Sequence, residues 1–262
     1  MAEEAEWAAY LYPGTDILVN KLGIQDDRFF EIERLVVARR AAELYRGAVD
    51  VDRTFDSDHL KDIHHHLTQD LYTWAGEYRT VTIAKKVNED EPARWFLSPA
   101  HLDTWMDAVG AEIRDTTWAA LDRNEFADAI ADTHTYLNFG HLFRETNGRA
   151  HRIFLAHIAE QTPFALNFDL VDPEHWNAAS RDSIRPGRGH HPDGPLLFEP
   201  GRRIFDQLVV DRASAEPVVL PPRSGARLLD RVKDFRAQHD QPEYSNWPPA
   251  PEPQSYRRGP TL

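Results

Sequence analysis

A short segment from His141 to Arg152 carries the residue types that nucleotide chemistry requires. Within residues 141–149, His141 is the one side chain whose ordinary pKa lies near neutrality, which makes it a candidate general base. Glu145 offers hard carboxylate oxygens that suit Mg²⁺ shared with phosphates. Arg149 and Arg152 are permanent positive charges whose planar guanidinium groups bind phosphate oxygens in pairs. The segment therefore predicts a site that binds a nucleotide and transfers part of it.

The turn at Asn147 and Gly148 adds a place for an anion. Residues 150–160 are amphipathic and contain no helix breaker, so they predict a helix. Asn147 and Gly148 then lie at its N-terminus, where unpaired N–H groups and the positive end of the dipole attract an anion. Gly148 has no Cβ, so the backbone can approach that anion closely. Arg149 and Arg152, three residues apart, project from neighbouring positions of the first turn.

The spacing of these residues resembles the signature of the Fic family, His-x-Phe-x-(Asp/Glu)-Gly-Asn-(Gly/Lys)-Arg-x-x-Arg. The matching positions are His141, Phe143, Glu145, Asn147, Gly148, Arg149 and Arg152. This resemblance implies a protein adenylyltransferase that transfers AMP from ATP to a Tyr, Ser or Thr hydroxyl of a target protein.

The same resemblance implies a role for each residue. His141 would deprotonate the target hydroxyl, and Phe143 would anchor the loop in the core. Glu145 would hold Mg²⁺ against the α- and β-phosphates. The nucleotide-binding residues would be an anion hole and two arginines: Thr146, Asn147, Gly148, Arg149 and Arg152.

Two positions depart from the commonest form of the signature. Leu142 replaces a proline, which removes only a restraint on φ. Thr146 replaces the first glycine of the anion hole, where a β-branched residue is costly if φ must be positive. The Doc branch, whose activity is that of a protein kinase, also lacks this glycine but has Lys at the position of Gly148. Gly148 thus favours AMP transfer, while a Doc-like phosphotransferase and a degenerate Fic fold that only binds a partner stay open as alternatives.

Composition limits the class of protein. The chain has 262 residues, is 41% hydrophobic and carries a net charge of −13, which argues against direct binding to a nucleic-acid backbone. It contains no cysteine, and its start carries three glutamates rather than a basic, apolar signal peptide. No apolar stretch is long enough to span a membrane. We expect a cytoplasmic protein.

The order of patterns along the chain predicts a mostly α fold, a helical bundle core with one β-hairpin. Helices are expected over residues 27–46, from Asp56 or Ser57 to Gly76, from Ser98–Pro99 to Asp115, and over 125–138 with Asn124 as the cap. Residues 77–84 alternate and predict a strand whose partner lies at 94–97. Resemblance over about residues 10–185 implies that the hairpin Tyr78–Leu97 is the family flap, which pairs with the target main chain.

The expected organisation has four parts. Residues 1–26 form an N-terminal arm, 27–185 the Fic core, 186–240 a helical extension, and 241–262 a proline-rich disordered tail. Short helices are expected at 173–183, 198–210 and 228–235.

The consecutive histidines His64, His65 and His66 invite a metal-binding interpretation, but neighbouring helical residues point in different directions. They are therefore expected to be surface residues. Family members are restrained by a helix with the motif (Ser/Thr)-x-x-x-Glu-(Gly/Asn), and this sequence has no such motif. Either the chain lacks this restraint, or a small antitoxin supplies a helix whose Glu pairs with Arg152.

Overall fold

The computed structural model describes residues 7–85, 93–186 and 196–214. In these ranges the α-helices are α1 (Arg28–Tyr45), α2 (Ser57–Thr68), α3 (Leu102–Asp115), α4 (Arg123–Gly140), α5 (Asn147–Ala159), α6 (Pro173–Asp182) and α7 (Glu199–Leu208). The strands are β1 (Ala84–Lys85), β2 (Arg94–Trp95), β3 (Phe164–Leu166) and β4 (Val209–Asp211). The predicted mostly α fold is confirmed. None of the described helices has both the length and the apolarity that a bilayer crossing requires.

Helix α4 occupies the centre of the bundle and packs against α3, α5 and α7. Helix α5 packs in turn against α2, which also contacts α1. The apolar residues buried on α4 include Phe126, Ile130, Ala131 and Leu137. Removing such side chains from water is the main favourable contribution to folding. The loop between α4 and α5 is consequently held at both ends by core helices.

The start of α4 differs from the sequence prediction. Its cap is Asp122, whose side chain accepts hydrogen bonds from the N–H groups of Asn124 and Glu125. The Glu125 carboxylate accepts in return from the N–H of Asp122 at 2.9 Å, which closes a capping box. Asn124, the predicted cap, lies inside the first turn. Asp122 and Asn124 are both residue types that cap helices. Asp122 is the cap because Glu125, three residues later, completes the capping box with it.

The end of α2 also differs from the prediction. Asp56 caps this helix as expected, but the helix ends at Thr68 and not at Gly76. The Thr68 hydroxyl donates to the carbonyl of His64 at 2.7 Å, so it competes with helical hydrogen bonding at that end. The carbonyl of Leu71 then accepts from the N–H of Lys21 at 2.7 Å. Residues 69–76 thus form turns in place of the expected helix, with one carbonyl bound to the N-terminal segment.

The hairpin is present, but its regular pairing is short. Ala84 lies opposite Trp95 and Lys85 opposite Arg94 in an antiparallel register. Residues 77–83, predicted as strand, have no regular strand partner, because the N–H of Arg79 binds the carbonyl of Leu142 at 2.9 Å. The turn between the two strands lies at residues 86–92, outside the described residues.

No pattern in the sequence predicts the second small sheet. Strand β3 pairs with β4 in antiparallel register, with Ala165 opposite Val210. This pairing lies beside α7, where Phe205 and Leu208 are fully buried. Helix α7 packs on α4 and α6, although it follows the boundary proposed at residue 185. The four-part division stays a prediction, and its helix at 228–235 and its tail lie outside the described residues.

Candidate active site

The segment expected to carry the chemistry forms the loop between α4 and α5. Helix α4 ends at Gly140, and His141 takes a left-handed conformation with φ 41° and ψ 58°. Thr146 is left-handed as well, with φ 64° and ψ 11°, at the N-cap position of α5. Asn147 and Gly148 are the first residues of that helix, as the sequence predicts. The two sharp bends hold the segment between the ends of two core helices.

Buried contacts fix the middle of the loop. Leu142 and Phe143 are fully buried, in agreement with the anchoring role implied for Phe143. The side-chain oxygen of Asn147 accepts from the N–H of Phe143 at 2.8 Å, and its amide nitrogen donates to the Phe143 carbonyl at 2.7 Å. The Asn147 side chain therefore supports the loop, and what it offers to an anion is its backbone N–H.

His64 braces the loop from α2, and the sequence prediction for it is wrong. His64 is fully buried, and His66 is nearly so, whereas only His65 is exposed. The His64 ring stacks on Phe143 with centroids 3.8 Å apart and planes inclined by 3°. Burial lowers the pKa of His64 to about 3, so its ring is neutral at physiological pH. The sequence pattern does indicate this burial, since His64 lies four residues after Leu60 on the apolar stripe of α2.

The two hydrogen bonds of His64 explain how it acts on the loop. Its Nδ1 accepts from the N–H of Gly76 at 2.9 Å. Its Nε2 lies 3.2 Å from the Glu145 carbonyl, and with Nδ1 acting as the acceptor this nitrogen is the donor. The backbone of Glu145 is thereby tied to the buried core.

The candidate metal ligand and the anion turn lie side by side. The Glu145 side chain is exposed, and its Oε1 accepts from the N–H of Thr146 at 3.0 Å. Thr146 is buried, and its hydroxyl has no hydrogen-bond partner among the described residues. A Cβ added to Gly148 would meet no atom within 4 Å, so the protein itself does not require glycine there. The space beside Gly148 is available to a bound group.

The two arginines are half-buried at the start of α5. The Arg152 guanidinium lies 4.6 Å from the ring centre of Trp176 and 5.1 Å from that of Phe168, so aromatic faces support its charge. Burial lowers the pKa of Arg152, with Tyr45 opposing the shift. A guanidinium nevertheless stays charged at neutral pH. Arg149 and Arg152 thus supply two fixed charges next to the helix N-terminus.

His141, the candidate base, lies against the flap. Its ring stacks on Phe96 of the flap, with centroids 3.9 Å apart. Burial lowers its pKa well below the ordinary value, and Lys85, His151 and Arg79 lower it further. An imidazole that is neutral at pH 7 can accept a proton.

An aromatic cluster from the N-terminal segment holds the residue before Glu145. The Arg144 guanidinium lies 4.2 Å from the ring centre of Trp7 and 5.7 Å from that of Tyr10. Trp7 also donates to the carbonyl of Thr82 at 3.2 Å, so the same segment contacts the base of the flap. No sequence motif indicates this contact, because it joins residues far apart in the chain.

A second carboxylate near the loop was not foreseen. Glu33 of α1 accepts a hydrogen bond from the Tyr72 hydroxyl at 2.7 Å. Burial raises the pKa of Glu33, Glu145 raises it further, and Arg149 lowers it. Its charge therefore acts on the same side of the site as the metal-ligand candidate and the first arginine.

Comparison with known proteins agrees with this geometry. The Fic/DOC family model matches residues 54–159. The probable protein adenylyltransferase Fic of Escherichia coli is 30% identical over 174 residues, which cover 66% of this chain and 82% of that protein. The chain belongs to the Fic/DOC family. The protein adenylyltransferase VbhT of Bartonella schoenbuchensis is 31% identical over 205 residues, and the chain spans only 40% of its length.

Solved structures share the Fic fold of this chain. BepC of Bartonella tribocorum, solved with bound AMPPNP, has a TM-score of 0.65 and 22% identity, and the match covers 78% of this chain and 97% of that one. The N-terminal Fic domain of a putative cell filamentation protein from Bartonella quintana, solved with bound ADP, has a TM-score of 0.66 and 22% identity over 78% of this chain and 96% of that one. At this identity the likeness establishes the fold.

Proposed function

We propose that this protein is a protein adenylyltransferase, which transfers AMP from ATP to a Tyr, Ser or Thr hydroxyl of a target protein. The observation that carries the proposal is the loop itself. It sets a neutral, half-buried imidazole, an exposed carboxylate and the N-terminus of α5 with two arginines within one short segment. Relatives of this chain bear the name protein adenylyltransferase, which supports the same reaction.

The reaction follows from the positions of these groups. The hydroxyl oxygen of the target attacks the α-phosphorus of ATP, and its proton passes to the imidazole of His141. The bond from the α-phosphorus to the bridging oxygen breaks, and pyrophosphate leaves. The N–H groups at the start of α5, Arg149 and Arg152 stabilise the charge that develops on the phosphate oxygens. Catalysis of this kind depends on positioning and charge neutralisation.

The residues present fit a magnesium ion that is shared with the nucleotide. Glu145 is exposed and supplies one carboxylate beside the anion turn. The described residues contain no group of three or more His, Asp or Glu side chains able to hold a metal ion unaided. This suits Mg²⁺, which proteins bind through one or two carboxylates together with substrate phosphates. When bound, the ion neutralises phosphate charge. The proposed location of the reaction is the cytoplasm, where Mg-ATP is present and where a cysteine-free protein is suited to the reducing conditions.

Labelled ATP tests the reaction and separates it from a phosphotransferase. The purified protein is incubated with candidate target proteins and ATP labelled either at the α- or at the γ-phosphorus. Adenylyl transfer places only the α-label on protein and releases labelled pyrophosphate from γ-labelled ATP. Transfer of the γ-label would establish a Doc-like kinase. Binding of ATP without transfer of either label, across targets of the bacterial relatives, would favour a binding module.

The partner proposed for regulation is a small antitoxin whose helix pairs with Arg152. Arg152 rests on two aromatic rings, and no ion pair with a carboxylate is found for it within the described ranges. A carboxylate of another protein can bind such a guanidinium in two-pronged fashion and so compete with the outer phosphates. Co-expression with an antitoxin is expected to suppress transfer and to yield a heterodimer. Replacing the antitoxin Glu by Gly restores transfer if the proposal is right, and continued suppression would contradict it.

A further inference from the structure

Arg79 is a buried cation that the proposed reaction does not use. Its side chain is 2% exposed, and burial lowers its pKa to about 10. No acidic residue in the described part of the chain contributes to that pKa. A buried charge is costly unless its hydrogen-bonding groups are satisfied. The hydrogen-bond partners of the guanidinium therefore indicate the role of this buried charge.

One side of the guanidinium holds the flap. Nη1 donates to the carbonyl of Val81, in the chain leading to β1, at 2.7 Å. Nη2 donates to the carbonyl of Leu97, which follows β2. The two limbs of the hairpin are thus joined at their base through one side chain, outside the short ladder that pairs β1 with β2.

The other side holds the start of the catalytic loop. Nε donates to the carbonyl of His141 at 2.8 Å, and Nη2 also donates to that of Gly140 at 3.1 Å. The backbone N–H of Arg79 donates to the carbonyl of Leu142 at 2.9 Å. The last carbonyls of a helix lack partners within the helix and carry partial negative charge. A guanidinium satisfies them and complements the dipole of α4.

We propose that Arg79 is a positioning residue, which holds the base of the flap and the backbone of His141 in one fixed arrangement. The proposal rests on the proposed adenylyl transfer, in which the flap binds the target segment and His141 takes its proton. A displacement of about 1 Å between such groups can cost about 10²-fold in rate. Arg79 acts through the backbone carbonyls that its guanidinium binds.

The test compares Arg79→Lys with a matched control, Arg212→Lys. Lysine keeps the charge, but its single nitrogen cannot span carbonyls on both the flap and the loop. Arg212 makes a similar set of bonds far from the site, with Nη2 donating to the carbonyls of Ala159 at 2.6 Å and Phe164 at 2.7 Å. Transfer is measured with Mg-ATP and a target protein, together with Mg-ATP affinity by calorimetry and thermal unfolding.

Arg79→Lys is expected to lower kcat by at least about tenfold, with KM and Kd for ATP within about twofold of wild type. Arg212→Lys is expected to lower the melting temperature without changing kcat. A wild-type kcat in Arg79→Lys, or equal losses in the two variants, would overturn the proposal. If Arg79→Lys does not fold, Arg79→Gln takes its place. Failure of both to fold would also overturn it, because Arg79 would then be required for folding and not for positioning.

Hydrogen–deuterium exchange gives a second result that does not depend on transfer. Arg79→Lys is expected to speed amide exchange in residues 95–98 and 139–142 together, and Arg212→Lys is not. Unchanged exchange in either segment would contradict a link between flap and loop. If the wild-type protein transfers no AMP, the proposed function fails, while the exchange data still decide whether Arg79 joins the two segments.

Discussion

Replacing Thr146 by glycine is expected to stabilise the protein and to leave transfer intact or faster. Thr146 has a φ of 64°, a left-handed conformation that a β-branched residue adopts at a cost. Its hydroxyl is buried without a partner among the described residues. Glycine removes both problems at the position where the family signature has glycine.

The magnitude follows from four contributions. The left-handed conformation costs an L-residue about 1–2 kcal/mol. A buried, unpaired hydroxyl costs about 1–3 kcal/mol. Against this, glycine loses about 0.8 kcal/mol for the buried methyl group. It also loses about 0.5–1 kcal/mol in backbone entropy. At the midpoints of these ranges the balance favours glycine by about 2 kcal/mol, which raises the melting temperature of a chain of this size by about 4–8 °C.

Calorimetric or circular-dichroism melting of wild type, Thr146→Gly and Thr146→Val measures this balance. Valine keeps the shape and the strained φ but removes the unpaired hydroxyl, so it is expected to gain about 1–3 kcal/mol from that change alone. Transfer is assayed with Mg-ATP in the same preparations. A melting temperature below that of wild type for Thr146→Gly, or a large loss of kcat, would refute the strain argument and give the hydroxyl a role in the site.

Three further predictions concern the metal, the anion turn and acid stability. Glu145→Gln is expected to weaken Mg-ATP binding by about tenfold without changing the affinity for metal-free ATP, and equal Mg-ATP affinity by calorimetry would remove Glu145 as a ligand. Gly148→Ala is expected to melt like wild type, since the added Cβ meets no atom within 4 Å. It is expected to bind Mg-ATP about tenfold more weakly, because the methyl group lies where the backbone must approach phosphate. Unchanged Mg-ATP binding would show that the backbone at Gly148 does not approach phosphate closely. His59 and His157 bond through Nε2 and Nδ1 at 2.9 Å, and burial lowers their pKa values to about 3 and about 4. Because both folded-state values lie below the unfolded value of about 6.5, their contribution is complete well above that pH and is lost as pH falls. The loss approaches about 1.4 kcal/mol per histidine for each pH unit at pH values between the unfolded and folded pKa values. Urea unfolding from pH 7 to pH 5 should show this loss, and His59→Leu should reduce it where His175→Gln does not.

The sequence predicted the features that depend on neighbouring residues. The N-terminus of α5 at Asn147–Gly148 and the bounds of α1 and α6 follow from periodicity and turn residues within one segment. Local signals failed where tertiary contacts compete with them. Residues 69–76 form turns in place of the expected helix, and the Leu71 carbonyl in them binds the N–H of Lys21.

Contacts between distant segments were beyond local reasoning. Strand β3 requires pairing with Val209–Asp211, and its short sequence carries no sign of that partner. Arg144 stacks on Trp7, and Arg79 bonds four carbonyls on both sides of the site. His64 differs from these, since the apolar stripe of α2 placed it on the buried face. The prediction placed His64 on the surface because histidine is polar, although its position on the apolar stripe indicated burial.

Intact-protein mass spectrometry of a target protein, incubated with Mg-ATP and either wild type or a His141 variant, tests the central claim most directly. His141→Asn is the matched variant, because asparagine tolerates the left-handed backbone of His141, and circular dichroism checks that it folds. The account predicts a target heavier by one AMP with wild type and an unmodified target with the folded variant. Full modification by the folded variant, or a target heavier by one phosphate with wild type, would contradict it.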